Sequence, residues 1–280
     1  MSNDVHDRPI FSTDRDAPWC RGCGHADVFD VLCGALAASG IRPTDVVVVT
    51  GVGCSSLITF QLRTYAIHGV HGRALPLALG VKAANPDLHV VVAGGDGDAF
   101  SIGVNHLIHT ARKNPRLTYL IMDNQSYGMT RGQPSPTSAR GTDHPLNALG
   151  VLLAAGATFV AQVASWRPAE AATVIGQALS HPGFSVVSIL SPCPTFHPGE
   201  GPGGAIGIPL VREIGSEHDV GDRHQALSVA FTDGVPCVGL LYQVNHPVYT
   251  LTEGSTLVPE RWNDTAILES MLDEHRVVWT

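Results

Sequence analysis

Runs of β-branched and aliphatic residues alternate along the chain with segments of helical periodicity. The predicted strands are 45–50, 88–93, 117–123, 158–163 and 184–190, and the predicted helices are about 26–39, 74–84, 99–113, 147–155 and 168–180. The strand segments are apolar almost throughout, which is typical of strands covered on both faces. The pattern therefore predicts an α/β fold with a parallel sheet and helices on both faces.

Glycine and proline mark the boundaries of this pattern. Gly40 follows the first predicted helix, and the Asn-Pro pair at 85–86 ends the second. A loop rich in glycine and proline, 192–209, then separates the alternating body from the rest of the chain. We therefore predict one α/β domain at 1–195 and an extension at 196–280 that packs on this domain or on a partner subunit. The extension contains one predicted strand, "VPCVGLLYQ".

Composition narrows the class of protein. A net charge of −8 argues against nucleic-acid binding, because no basic stripe is available to neutralise phosphates. No apolar run approaches the length needed to span a bilayer, which predicts no membrane segment. The polar, acidic first residues do not resemble a signal peptide, so we expect a cytoplasmic protein. In that compartment the six cysteines indicate metal binding or catalysis rather than disulfides.

The stretch "AGGDGDAF" at 93–100 combines close glycines with two aspartates at the end of a predicted strand. Ligands of open parallel sheets bind at this end, and the start of the next helix offers free amide groups to a phosphate. An aspartate would repel a phosphate unless a divalent cation lay between them, and Mg²⁺ is usually held in this way. A tight turn without any ligand is the structural alternative for these glycines taken alone.

Asn124 supplies a second ligand for such a cation. It lies at the end of the next predicted strand, and a βαβ unit brings Asp96 and Asn124 to neighbouring strand ends. Other phosphate-binding patterns fit less well. The stretch "GVGCSS" at 51–56 lacks the third glycine of a dinucleotide fingerprint, and the sequence contains no P-loop.

Four cysteines are predicted to meet at the same edge of the sheet. Cys20 and Cys23 form a CxxC pair, while Cys54 and Cys193 each follow a predicted strand. Four thiolates hold either zinc or an iron–sulfur cluster, and their spacing alone does not separate these alternatives. Covalent haem is not expected, because Gly24 separates the CxxC pair from His25.

Several motifs together resemble one known family. "WCRGCGH" at 19–25, "GVGCSS" at 51–56, "HGRALPLALGVKAANPDL" at 71–88, "GGDGDAFSIGVNHLIHTARKN" at 94–114 and "DNQSYGMTRGQPSPT" at 123–137 occur in this order. They are similar to the β subunit of 2-oxoacid:ferredoxin oxidoreductases, the pyruvate and 2-oxoglutarate synthase family. The resemblance covers roughly residues 17–195 and implies a thiamine diphosphate-binding fold of the diphosphate-domain type.

The resemblance also implies a set of cofactor ligands. Asp96, Asn124 and the carbonyl of Ser126 would bind Mg²⁺, and the backbone at Gly95, Gly97 and Asp98 would hold the diphosphate. The four cysteines Cys20, Cys23, Cys54 and Cys193 would bind a [4Fe–4S] cluster, which has a redox role beside thiamine. Further cofactor contacts are expected from these residues: His25, Cys54, Ser55, Tyr127, Gly128, Met129 and Thr130.

Family membership would define the reaction and the partners. Members decarboxylate a 2-oxoacid oxidatively, pass the acyl unit to coenzyme A and the electrons to ferredoxin, or run the reverse carboxylation. The glutamate that contacts the aminopyrimidine ring comes from an α subunit or domain, which nothing in this sequence resembles. We therefore expect half of an active site and an (αβ)2 assembly.

Three further residues are candidates for the catalytic site. His71 and Arg73, in "HGR", are expected near cofactor or substrate, although a surface turn also explains them. Arg131 lies in the loop that should face the substrate, where it would pair with the second carboxylate of 2-oxoglutarate. A solvated or subunit-facing arginine is the alternative.

Two other functions fit parts of the sequence. One is a non-oxidative thiamine diphosphate-dependent decarboxylase or synthase with zinc on the cysteines. The length of the chain argues against it, because such enzymes usually carry both thiamine domains. The other is an electron-transfer or scaffold subunit without catalysis, although a scaffold has no need for Asp96 and Asn124.

Overall fold

The computed structural model describes residues 8–198 and 210–250. In this part of the chain eight strands form one sheet in the order β2-β1-β3-β4-β8-β7-β10-β9. Its strands are β1 Val46–Thr50, β2 Tyr65–His68, β3 His89–Gly95, β4 Leu117–Asp123, β7 Phe159–Ala164, β8 Phe184–Leu190, β9 Arg212–Glu213 and β10 Cys237–Gln243. A separate hairpin pairs β5 Ser126–Tyr127 with β6 Gln133–Pro134.

Helices cover both faces of this sheet. They are α1 Arg8–Phe11, α2 Gly24–Ala38, α3 Ala74–Ala84, α4 Asp96–Phe100, α5 Val104–Lys113, α6 Ala148–Ala155, α7 Pro168–Ser180 and α8 Arg223–Ala230. Short 3₁₀ segments at Pro43–Asp45, Cys54–Phe60 and Gly128–Thr130 follow or join these elements. None of the helices in the described ranges is long and apolar enough to cross a membrane.

Alternating side chains of the strands divide the core into two layers. In β1, Val47 and Val49 pack with α3, α5 and α6 on one face. Val46 and Val48 pack with α2 and α7 on the other face. Because successive side chains of a strand point to opposite faces, such a strand is apolar at most positions. The central strands are parallel, which confirms the predicted fold class.

The helix predicted at 99–113 is wrong as a single element. The chain forms α4 and α5 instead, and the break falls at 101–103, where Ser101 leaves the helical conformation (ψ −107°). Gly103 explains the break, because a Cβ at this position would lie 2.3 Å from the carbonyl oxygen of Asp98. The turn of α4 therefore packs directly on the backbone of residue 103.

Residues beyond 210 contribute to the same sheet. The predicted strand in "VPCVGLLYQ" is confirmed as β10, which runs antiparallel to β7. β9 and α8 were not predicted. The domain boundary at 195 remains a prediction, and 199–209 and 251–280 lie outside the described residues.

Candidate functional site

A cavity of about 360 Å³ opens at the carboxyl ends of β1, β3 and β4. Most of the predicted cofactor residues lie on its wall: His25, Cys54, Ser55, Gly95, Asp96, Gly97, Asp98, Asn124, Ser126, Tyr127, Gly128, Met129 and Thr130. His71 also lines it, whereas Arg73 and Arg131 do not belong to the lining. Val52 and Gly53 complete the wall and were not predicted.

The glycines of the "GGDGD" turn are needed because other groups lie against them. A Cβ at Gly97 would meet the ring of Tyr127 at 2.3 Å, so this ring packs directly on the turn. A Cβ at Gly95 would lie 3.3 Å from the hydroxyl of Ser55. The hydroxyl of Ser55 is buried and has no hydrogen-bond partner within the described residues. A buried hydroxyl on a cavity wall that has no protein partner fits a bound acceptor such as a phosphate oxygen.

Asp96 is a buried carboxylate held by hydroxyl groups. Its Oδ2 accepts hydrogen bonds from Ser135 and, at 2.8 Å, from Thr137. Burial raises the pKa of Asp96 above its usual value, and the two hydroxyls offset part of this effect. A carboxylate in this position is stabilised in its charged form by a nearby cation.

A second buried carboxyl lies close to the first. The Oγ1 of Thr137 is 2.8 Å from Asp96 and 2.9 Å from Asp123. A hydroxyl has one hydrogen, so it donates to only one of these carboxyls, and the other must itself carry a proton to bond to it. Burial, together with the charge of Asp96, raises the pKa of Asp123 well above its usual range. Burial and the neighbouring charge thus both favour the protonated form of Asp123.

Asn124 is positioned from both sides. Its Oδ1 accepts a hydrogen bond from the amide of Ser126 at 3.0 Å, and its carbonyl oxygen lies 3.3 Å from Nδ1 of His197. An amide oxygen has two lone pairs, so Oδ1 retains one for a metal. The hydroxyl of Ser126 is buried and has no partner within the described ranges. These observations fit a magnesium site between Asp96 and Asn124.

His25 is fully buried at the inner end of the cavity. Its Nδ1 lies 2.6 Å from the hydroxyl of Ser191, and burial lowers its pKa to about 4. The imidazole is therefore neutral, and Ser191 fixes the orientation of the ring.

The three predicted catalytic residues occupy different positions. His71 lies at the cavity wall, where Nδ1 is 2.9 Å from a carboxylate oxygen of Asp98. Arg73 donates to the carbonyl groups of Gly72 and Ile102. Arg131 is exposed, follows the 3₁₀ turn at the cavity and has a positive φ of 76°. A left-handed conformation costs a residue other than glycine about 1 kcal/mol.

The four predicted cluster ligands are neighbours. Gly24 allows the CxxC turn to approach the loop after β8, because a Cβ there would lie 2.7 Å from Pro192. Burial raises the pKa of Cys23 to about 12, and the charges of Cys193, Cys54 and Cys20 contribute to this shift. Gly128 lies against the same group, since its Cβ would be 3.0 Å from Sγ of Cys54.

No three or more His, Cys, Asp or Glu side chains form a metal-ion site within residues 8–198 and 210–250. The electrostatic influence of Cys193, Cys54 and Cys20 on Cys23 shows that the four side chains are neighbours. In a [4Fe–4S] cluster each thiolate binds a different iron, whereas a single zinc ion draws four thiolates to one centre.

Several residues that organise the site were not predicted. Ser135, Thr137, Asp123, Ser191 and His197 hold the metal and cofactor candidates in place. Ser135 and Thr137 belong to "QPSPT", which carried the family resemblance but no assigned role.

Comparison with known proteins identifies similar chains. Residues 37–189 match the family "Thiamine pyrophosphate enzyme, C-terminal TPP binding domain". The 2-oxoglutarate oxidoreductase subunit KorB of Mycobacterium tuberculosis is 38% identical over 239 residues. This alignment covers 81% of the present chain and 62% of the mycobacterial protein, so the chain spans less than two thirds of that relative.

Two further relatives agree with this match. The 2-oxoglutarate synthase subunit KorB of Archaeoglobus fulgidus is 41% identical over 187 residues, which is 63% of this chain and 70% of that protein. A chain of the solved 2-oxoglutarate:ferredoxin oxidoreductase from Magnetococcus marinus superposes with a TM-score of 0.82 at 37% identity, covering 96% of both chains. That structure contains bound 2-oxoglutarate, coenzyme A and succinyl-CoA.

Proposed function

Because the chain belongs to the thiamine pyrophosphate enzymes and, among them, to the β subunits of 2-oxoacid:ferredoxin oxidoreductases, we propose that it binds thiamine diphosphate, Mg²⁺ and a [4Fe–4S] cluster. The complete enzyme performs the coenzyme A-dependent oxidative decarboxylation of a 2-oxoacid or the reverse carboxylation. The predicted fold class and family are confirmed by these comparisons. The cluster, the magnesium and the direction of the reaction are proposals.

The position of Cys54 is the observation that carries this proposal. Cys54 lines the cofactor cavity and is also a neighbour of the other three candidate cluster ligands. A cluster bound there would share one wall with the cofactor. Such contact is useful only if electrons leave the cofactor, which favours an oxidoreductase over a decarboxylase or a synthase.

Thiamine diphosphate supplies an electron sink for the carbanion that decarboxylation leaves, and an adjacent cluster accepts electrons one at a time. The protein contributes binding and orientation. Asp96 and Asn124 would hold Mg²⁺ against the diphosphate, with the carbonyl of Ser126 as a third ligand. The buried hydroxyl of Ser55 would donate to a phosphate oxygen. His25, fixed by Ser191, would present its other nitrogen to the cofactor.

For the substrate we propose 2-oxoglutarate, with pyruvate as the alternative. Arg131 is exposed beside the cavity, and a guanidinium group pairs well with a second carboxylate. The names of the mycobacterial and archaeal relatives also refer to 2-oxoglutarate.

We further propose that an α subunit completes the site. It would supply the glutamate for the pyrimidine side, and the reported relatives, each named as one subunit of a larger enzyme, support such a partner. The assembly would be (αβ)2, with ferredoxin as the electron acceptor, in the cytoplasm.

Metal analysis after strictly anaerobic purification tests the proposal. We expect about four irons and four acid-labile sulfides per chain. Changing Cys54→Ser should remove both, whereas Cys33→Ala, a change of a buried cysteine in α2, should leave them in place. One zinc and no sulfide would contradict the proposal and favour the non-oxidative thiamine enzyme. Once the cluster is established, assays of 2-oxoacids with coenzyme A and the α partner define the substrate.

A further inference from the structure

Asp98 lies two residues from Asp96 but has different partners. Its Oδ1 accepts hydrogen bonds from the amides of Val52 at 3.1 Å and Gly72 at 2.8 Å. Nδ1 of His71 approaches the same oxygen at 2.9 Å. The side chain is buried, and Gly51 leaves room for it, since a Cβ there would lie 2.2 Å from Oδ1. Through these contacts, Asp98 holds the loop that carries His71.

The environment of His71 determines which ring nitrogen carries hydrogen. Nδ1 lies between the carboxylate of Asp98 and the carbonyl oxygen of Val52, at 3.2 Å from the latter. Both groups accept hydrogen bonds in this arrangement, so Nδ1 must be the donor. In the neutral ring, Nε2 then carries a lone pair instead of a hydrogen.

This lone pair is available to a ligand. His71 lines the cavity, and its side chain is 36% exposed, so the ring is reached both from the cavity and from solvent. Among the described residues, no hydrogen bond to Nε2 is present. His25, by contrast, is fully buried and turned toward Ser191.

The type of ligand follows from the chemistry of the reactants. An ionised 2-oxoacid carries only hydrogen-bond acceptors, so a neutral Nε2 offers it no bond. A thiol acyl acceptor carries a hydrogen that must be lost before a thioester forms, and a neutral imidazole is suited to take it.

We propose that His71, held by Asp98 in the Nδ1–H tautomer, is the base that accepts the proton of the thiol acyl acceptor. This inference rests on the proposed function, because only that reaction brings a thiol to the cavity. In the step, the S–H bond breaks, its electron pair stays on sulfur, and the proton forms an Nε2–H bond. No group is oxidised or reduced. Asp98 is a positioning residue that stabilises the resulting imidazolium through Nδ1–H.

The tautomer is tested first, on the full chain labelled with ¹⁵N-histidine. Long-range ¹H–¹⁵N spectra of the neutral imidazole should show His71 with hydrogen on Nδ1. The signal is assigned by its disappearance in His71→Asn. Hydrogen on Nε2 would overturn the inference whatever the activity of the protein.

The variant His71→Asn then distinguishes the role of His71 as a base from its role in holding the loop. The asparagine amide is able to donate to Asp98 and Val52 as Nδ1–H does, but it has no counterpart of Nε2. In the αβ holoenzyme, we expect His71→Asn to lower turnover with coenzyme A by a much larger factor than it lowers 2-oxoacid-dependent cluster reduction without coenzyme A. Turnover with coenzyme A should fall by about 10²-fold or more. Exposed His109 provides the control, and His109→Asn should change neither rate.

The acceptor thiol gives a second readout. A thiol with a lower pKa needs less help from a base, so it should show a smaller loss in His71→Asn than coenzyme A does. Equal losses with both thiols, or equal losses with and without a thiol, would contradict the role as a base. If wild-type holoenzyme shows no 2-oxoacid-dependent reduction at all, the proposed function itself fails, and the tautomer result still stands.

Discussion

The two edges of the sheet differ in the hydrogen bonding of their buried polar groups. At the carboxyl edge, the buried hydroxyls of Ser55, Ser126 and Ser165 have no partner within the described residues. Two buried carboxyls, Asp96 and Asp123, also lie close together there, on either side of the hydroxyl of Thr137. A buried hydroxyl without a hydrogen-bond partner has a free-energy cost for the folded chain.

At the amino edge, the side chain of Asn114 is fully bonded. Its Oδ1 accepts from the hydroxyl of Thr158 and the amide of Phe184, at 2.7 Å each. Its Nδ2 donates to the carbonyl groups of His246 and Pro247. The network joins three strands and the segment after β10, and every polar atom of the amide is used. The amino edge thus contains a fully bonded amide, although Nδ1 of His181 also has no partner there within the described residues. At the carboxyl edge, two such partnerless groups, the hydroxyls of Ser55 and Ser126, belong to residues that line the cavity, which fits a ligand there.

The largest effect on stability is expected at the amino edge. Asn114→Gly retains the left-handed backbone of this position (φ 51°) but removes four hydrogen bonds. We expect a loss of about 3 kcal/mol in the free energy of unfolding, because several buried groups lose partners. Chemical denaturation measures this loss. A change below about 1 kcal/mol would show that the network is dispensable.

Asp96→Asn should leave the unliganded chain stable but should abolish its stabilisation by the cofactor. Removing one of two buried carboxyls should leave the unliganded chain as stable as wild type or more stable. Stabilisation by thiamine diphosphate with Mg²⁺, about 2.7 kcal/mol at a hundredfold excess over Kd, should disappear. Thermal unfolding with and without the ligands tests both statements. Ligand-induced stabilisation that survives the change would exclude Asp96 as the metal ligand.

Arg131→Gly tests a residue of the carboxyl edge that has a left-handed backbone conformation. Its stability should stay within about 1 kcal/mol of wild type, since relief of strain offsets the entropy of glycine. The KM for 2-oxoglutarate should rise selectively in the holoenzyme. An equal loss with pyruvate would remove the proposed carboxylate contact.

The smallest effect concerns pH at the amino edge. Nε2 of His181 lies 2.8 Å from the hydroxyl of Thr158, and burial lowers the pKa of His181 below the usual 6.5. As the pH falls through 6.5, His181 takes up a proton in the unfolded chain before it does so in the folded chain. The free energy of unfolding therefore decreases as the pH is lowered. Unfolding measured across this range should show a flatter slope in His181→Gln. Equal slopes would show that His181 does not contribute.

Sequence patterns located the central strands because both faces of these strands are apolar. β2 escaped prediction because it is an edge strand with a largely exposed "YAIH" sequence. α8 carries a recognisable start signal, since Asp222 accepts from the amides of His224 and Gln225. The break between α4 and α5 was hidden, because it depends on the backbone of Asp98 rather than on periodicity.

The candidate site likewise contains residues that the sequence predicted and residues that it did not. Asp96, Asn124 and the four cysteines were predicted from motifs, and most of them also from their positions after strands. The residues that orient them come from distant parts of the chain, such as Ser191 for His25 and Thr137 for Asp96. Spacing along the sequence carries no information about such partners. The separate roles of Asp96 and Asp98 likewise became visible only in their hydrogen bonds.

The antiparallel pairing of β10 with β7 has a consequence for synthesis of the protein. All residues of the candidate site precede residue 198, so the ribosome has made them before it reaches β10. Until then, β7, which is buried along its whole length, has an open edge next to apolar side chains. Open edges of this kind promote aggregation. A nascent chain stalled before residue 237 should therefore depend on chaperones although its cofactor-binding residues are already complete.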